Sequence, residues 1–263
     1  MSWQDYEFLR ASLQLAHPSW HESIAQGLTA LYQQTPGYFH DLLKHEFLPS
    51  ENRLFAAFSL PISEVSHVLI GEGPYPRIQS ATGYAFMDGA VTSLWANSAR
   101  VGLSKSVNRA TSLRNFIKML LVAEGVLRPD DTGASAFAQI AVELADTANA
   151  YIESGAELQA NFTRQGVLLL NASLVYRPDV APAKDARAWQ PFLQTILRAL
   201  HGRTTQAPAD LILWGKIAET INLLPEAKNF TQIVSEHPYN LSFIQNATMQ
   251  QFFKPLQLLK LVP

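Results

Sequence analysis

The chain has 263 residues, of which 48% are hydrophobic and 16% charged, so it can bury a large core and is not a disordered protein. A net charge of −2 excludes nucleic-acid binding by bulk field and leaves only a local patch for such contacts. The absence of cysteine excludes disulfides, thiolate-held iron–sulfur clusters and cysteine-bearing zinc sites. No apolar run approaches the ~20 residues of a bilayer span, and no signal-peptide pattern opens the chain. A soluble, cytoplasmic monomer is expected, with no metal and no cofactor.

Residues 5–60 read as several helical pieces. Tyr6, Leu9, Leu13 and Leu15 begin one apolar face, Ile24, Leu28, Leu31 and Tyr32 another, and Pro18, Pro36 and Pro49 separate the pieces. A short helix carrying Leu54, Phe55 and Phe58 is expected after Ser50. Val68-Leu69-Ile70 is too short for a helix and ends in Gly71-Glu72-Gly73-Pro74, so it reads as a buried strand with a shaped exit. Gly83-Tyr84-Ala85-Phe86 is a short apolar piece. A strong helix begins at Ser112, and Phe137, Ile140, Leu144 and Tyr151 fall at helical spacing within 129–155.

Gly166–Asn171 is a second buried strand, and a helix over about 186–201 follows it. Leu211–Gly215 is a third strand, Lys216–Leu224 a helix stopped by Pro225, and Gln232-Ile233-Val234 a fourth strand. A last helix, Met249–Leu261, is interrupted at Pro255. Strands alternating with helices predict an α/β fold, a three-layer α/β/α arrangement around a central four-stranded, mainly parallel sheet. One domain over 1–263 is expected, with a helical N-terminal part at 1–60.

Three strand exits carry chemically capable groups: Glu72, Asn171 and His237. Carboxyl ends of parallel strands share one edge, where open α/β sheets bind ligands. With Tyr75 and Phe86 nearby, the set suits a planar polar ring: an aromatic to stack, an amide to read an edge and an imidazole to donate. Two hydrolase patterns fail. His45-Glu46 has Pro49 at the partner position, and Gly133–Phe137 lacks the second glycine of a nucleophile elbow.

These motifs resemble the uracil-DNA glycosylase superfamily, and its family 1 most. That family's Gly-Gln-Asp-Pro-Tyr-His motif aligns with Gly71-Glu72-Gly73-Pro74-Tyr75-Pro76, and its Gly-Leu-Ala-Phe with Gly83-Tyr84-Ala85-Phe86. Its Pro-Pro-Ser-Leu loop aligns with Ala110–Leu113, and its Gly-Val-Leu-Leu-Leu-Asn strand is identical to Gly166–Asn171. Ile212–Gly215 echoes Leu-Leu-Trp-Gly, and His237–Ser242 aligns with His-Pro-Ser-Pro-Leu-Ser. Residues from about 122 to 165 look like an insertion relative to that family.

The resemblance implies an enzyme that flips uracil from DNA and hydrolyses its N-glycosidic bond. Phe86 would stack on the base, Asn171 read its edge, Tyr75 crowd a thymine methyl, and Gly71 and Gly73 line the base pocket. His237 would donate to the leaving base, Leu241 wedge into the stack, and Ser112 and Ser242 contact DNA. The departures are equally specific. The water-positioning aspartate falls at Gly73 and the preceding glutamine is Glu72, a pattern shared in part with family 4. Glu72 is therefore the candidate replacement carboxylate. The alternatives are an inactive DNA- or protein-binding relative, or a glycosylase for another deaminated base.

Overall fold

The apolar runs that read as strands in the sequence pair side by side in register. In the computed structural model, described for residues 2–97, 100–146, 151–203 and 208–261, the N-terminal part holds α1 (Glu7–Leu13), α2 (His21–Gln34), α3 (Tyr38–Leu42) and a 3-10 segment, Arg53–Ser59. Then follow β1 (His67–Gly71), α4 (Lys105–Arg109), α5 (Thr111–Ala123), α6 (Ala134–Asp146) and α7 (Gly155–Arg164). The chain continues with β2 (Val167–Asn171), α8 (Pro182–His201), β3 (Asp210–Trp214), α9 (Ile217–Asn222), β4 (Gln232–Ser235) and α10 (Ala247–Phe253). The strands form a four-stranded parallel sheet in the order β2-β1-β3-β4, the α/β class expected.

Two compact units are built from interleaved stretches: residues 1–86 with 166–233, and 87–165 with 234–263. In the first, the strands alternate between faces, as extended backbone requires. Val68 and Ile70 of β1, Leu168 and Leu170 of β2, and Leu211 and Leu213 of β3 all enter one apolar cluster. That cluster is completed by Ile24, Leu28 and Leu31 of α2 and Trp189, Phe192 and Ile196 of α8. The predicted helix at 186–201 begins earlier than its periodicity suggested, because Pro182 occupies the first helical position, where its missing N–H costs nothing.

A buried polar network locks the chain after β2. Arg177, 1% exposed, donates two hydrogen bonds to Asp185 (2.7 and 3.1 Å) and one to Asp41 (2.9 Å). The Tyr38 hydroxyl donates to the same Asp185 carboxylate (2.8 Å), and the Trp189 indole donates to that hydroxyl (2.9 Å). Asp185 also lies in the first turn of α8, where a carboxylate is favoured by the helix dipole. Every member is hydrogen-bonded, which is what makes a buried ion pair tolerable.

In the second unit the expected helix at Ser112 is α5, and it buries Leu113, Phe116, Ile117, Leu120 and Leu121. The Phe116 ring stacks on Phe162 of α7 at 5.7 Å and meets Phe253 of α10 edge-on at 5.1 Å. Asn161 of α7 ties down the C-terminal segment by donating to the carbonyls of Leu258 and Lys260, both at 2.8 Å. Tyr151, expected on one helix with Phe137 and Ile140, is not on α6. It pairs with Lys260 in an isolated bridge, with the Lys260 ammonium 3.4 Å from its ring centroid. Residues 147–150 of the expected helix lie outside the described residues.

Replacing Asp185 with Ala should lower the unfolding free energy by about 3–5 kcal/mol, because Arg177 is left as an uncompensated buried charge; urea denaturation measures this. The Arg177 hydrogen bond holds the Asp41 carboxyl below its usual 3.8. Its stabilising effect is complete above that ordinary value and fades as pH falls through the depressed one. The acid side of a melting-temperature profile should therefore be flatter in Asp41→Asn than in wild type.

Candidate active site

The pairing of β1 with β2 sets Gly71 opposite Asn171, and it does not stop at the strand ends. The Ala172 N–H donates to the Gly71 carbonyl (2.8 Å) and the Ser173 N–H to the Glu72 carbonyl (3.1 Å). The exit loop Glu72-Gly73-Pro74 is thereby held against the residues that follow Asn171. Gly71 is required there by close approach: a Cβ on it would stand 2.6 Å from Asn171 Oδ1 and 3.1 Å from the Ala85 Cβ.

The segment Gly83–Phe86 is fixed against the same strand, with the Ala85 N–H donating to the Leu169 carbonyl at 3.0 Å. Gly83 has φ +89°, and a Cβ on it would lie 2.2 Å from the Arg53 carbonyl oxygen. Phe86 itself has φ +68°, a left-handed backbone uncommon for a bulky residue. Its carbonyl accepts a hydrogen bond from the Tyr75 hydroxyl (3.2 Å), and its ring meets Trp214 edge-on at 5.0 Å and 77°. Strained backbone held on two sides is the pattern of a positioned functional ring.

Asn171 is 3% exposed, yet its Oδ1 accepts no hydrogen bond among the described residues. A buried acceptor without a partner costs about 1–3 kcal/mol, so native structures rarely keep one without a use. Six expected residues thus come together in the first unit: Gly71, Glu72, Gly73, Tyr75, Phe86 and Asn171. Glu72 is exposed and, with Gly73, Arg187 and Lys216, lines a cavity of about 700 Å³. Phe86 and Asn171 are not among its lining residues.

The other four, Ser112, His237, Leu241 and Ser242, belong to the second unit. Ser112 is half-buried in the first turn of α5. His237 Nδ1 accepts a hydrogen bond from the Tyr239 N–H at 3.1 Å. The proton of the neutral ring therefore sits on Nε2. The His237 carbonyl accepts from the Asn240 N–H (2.9 Å) and side-chain amide (3.2 Å). This tight turn thrusts out Leu241, 69% exposed, together with Tyr239, 67% exposed.

Trp214 and Tyr239 carry roles that sequence spacing did not assign. Trp214 was visible only as part of a strand, and Tyr239 only as a departure from a motif. Among the described residues no group of three His, Asp or Glu side chains could hold a metal ion, and no helix is long and apolar enough to cross a membrane. Gly83→Ala should lower the melting temperature by several degrees, since the clash with Arg53 adds to about 1–2 kcal/mol of left-handed strain; scanning calorimetry checks it.

No family model matches the chain. It is 37% identical to wild-type UNG (uracil-DNA glycosylase) from Nitratifractor salsuginis, whose crystal structure superposes with a TM-score of 0.83 over 96% of both chains. A uracil-DNA glycosylase of Pediococcus pentosaceus is 27% identical over 235 residues, 87% of this chain and 82% of that one. A uracil-DNA glycosylase of Caenorhabditis elegans is 28% identical over 199 residues, 75% of this chain, and the match spans only 56% of that longer relative. Mimivirus uracil-DNA glycosylase shares the fold at 18% identity and a TM-score of 0.56, over 90% of this chain and 75% of that one. At 37% identity over nearly the whole of both chains, and with the family's motifs in order, the chain belongs to the uracil-DNA glycosylase family.

Proposed function

We propose that the chain hydrolyses the N-glycosidic bond of a uracil flipped out of DNA, releasing the base and leaving an abasic site. The observation that carries this reading is the buried Oδ1 of Asn171, unpartnered among the described residues, in the unit that also holds the Phe86 ring. Uracil offers an N–H at N3, which that oxygen accepts, while the amide N–H₂ meets the adjacent carbonyl. Cytosine has a lone pair at N3 and an amino group beside it, so both contacts become repulsive. A site built to pair a buried group rejects the analogue that cannot pair it. Tyr75 sets the wall at the base's C5, where thymine carries a methyl.

As the bond to C1′ lengthens, the electron pair leaves with the base and positive charge develops on the sugar. His237, protonated at Nε2, donates a hydrogen bond to the uracil oxygen that gathers the negative charge. Glu72 supplies a carboxylate that favours the sugar cation and orients the water that adds at C1′. Leu241 fills the gap left in the stack, and Ser112 and Ser242 hold backbone phosphates. The protein acts as a cytoplasmic monomer in this reading.

A second reading, a protein that binds DNA without cleaving, has its own support. Gly73 has no side chain where the family keeps its aspartate, and the cavity beside Glu72 does not include Asn171. Alkali treatment of a labelled uracil-containing oligonucleotide separates the two. Wild type should produce strand breaks, His237→Ala should be slower by about 10²–10³-fold, and Glu72→Gln by about 10²-fold. Asn171→Asp should lose the preference for uracil over cytosine. Salt-sensitive DNA binding with no alkali-labile product would establish the second reading, and an undiminished Glu72→Gln would remove the carboxylate from the chemistry.

A further inference from the structure

The loop that carries His237 runs into a 3-10 turn, Leu241–Gln245, and one buried side chain gathers the carbonyls just before it. Asn115, in the second turn of α5, is fully buried. Its Nδ2 donates to the Pro238 carbonyl at 2.8 Å and lies 3.3 and 3.4 Å from the carbonyls of Tyr239 and Asn240. The orientation of the amide is set from the other side, where Arg114 Nε donates to Asn115 Oδ1 at 3.3 Å. Asparagine is a poor helix former, and a buried amide is costly unless its partners are met, so its place on this helix reflects the loop it holds.

The Tyr239 peptide is the link to the imidazole. Its carbonyl faces Asn115, and its N–H donates to His237 Nδ1. We infer that Asn115 is a positioning residue for His237: by pinning the 238–240 carbonyls it holds the Tyr239 N–H on Nδ1, and so keeps the ring proton on Nε2 and the ring in line. Ser112, one turn earlier on α5, is carried by the same rigid helix. This inference rests on the role given to His237 under the proposed function.

The test uses the full-length protein with Asn115→Ala, and with Asn115→Ser, which keeps one donor and should fold where the alanine variant does not. On a uracil-containing oligonucleotide, kcat should fall by roughly 10²-fold in Asn115→Ala, as expected for a misplaced catalytic group, and less in Asn115→Ser, with KM within about twofold. In a His237→Ala background the same substitutions should cause no further loss. Nitrogen-15 NMR of the His237 ring should show an Nε2–H tautomer in wild type and a mixture in the variants. A folded variant that keeps the wild-type tautomer, or that loses as much activity without His237 as with it, overturns the inference. If wild type releases no uracil, the functional reading fails, and the tautomer comparison still decides the role of Asn115.

Discussion

The parallel pairing of β1 with β2 is the constraint on which the first unit's site depends. It puts Gly71 opposite Asn171 and then continues for two more hydrogen bonds, through Ala172 and Ser173, beyond the ends of both strands. A parallel ladder normally ends where the strands diverge into loops. Here the extension makes the exit loop of β1 and the start of the next segment a single rigid edge. The side chain missing from Gly71 is the space that Asn171 occupies, so this buried amide and its backing glycine are one packing unit.

Two further devices hold that edge. Leu169 accepts from Ala85, so the strand that ends in Asn171 also anchors the segment that ends in Phe86. The Arg177 network fixes the chain after Asn171 to α8 and α3, with Asp185 serving three donors at once. Burial pushes the Tyr38 hydroxyl pKa well up, and the neighbouring Asp185 carboxylate adds to the effect, so the phenol stays protonated as a donor. The network's charges tolerate burial because each is hydrogen-bonded, and removing one partner would strand the other in an apolar interior.

Gly73 stands where the motif that this chain resembles carries an aspartate. Loss of an aspartate from the loop removes a charge that would have stood next to Pro74, and Glu72 is one residue away in a backbone held by Ser173. Adjacent residues in an extended loop point in opposite directions, so moving a carboxylate by one position does not by itself return it to the same place. The exposed cavity with Arg187 and Lys216 is the surrounding that Glu72 has instead. Tyr239 is a comparable departure, an exposed aromatic beside the exposed Leu241 where the family motif has a serine.

How much was legible in the sequence follows from the range of the forces involved. Strands built on runs of two to four apolar residues, the glycine and asparagine that end β1 and β2, and the helix at α5 are set by local periodicity and turn chemistry, and all stand within a residue or two of where those signals place them. The strand ends place Gly71 and Asn171 side by side from positions 100 apart, because a parallel sheet sends its carboxyl ends to one edge. The sequence was silent where the decision belongs to a distant partner. Nothing local to Phe86 demands a left-handed backbone, nothing in α5 marks Asn115 as the residue that meets the 238–240 carbonyls, and Tyr151 leaves the helical pattern to meet Lys260. The single sequence alone determined which residues were available for the chemistry. Only the tertiary structure decided that Asn171 keeps an acceptor unmet among the described residues, because leaving a buried oxygen without a hydrogen bond depends on every neighbour that fails to reach it.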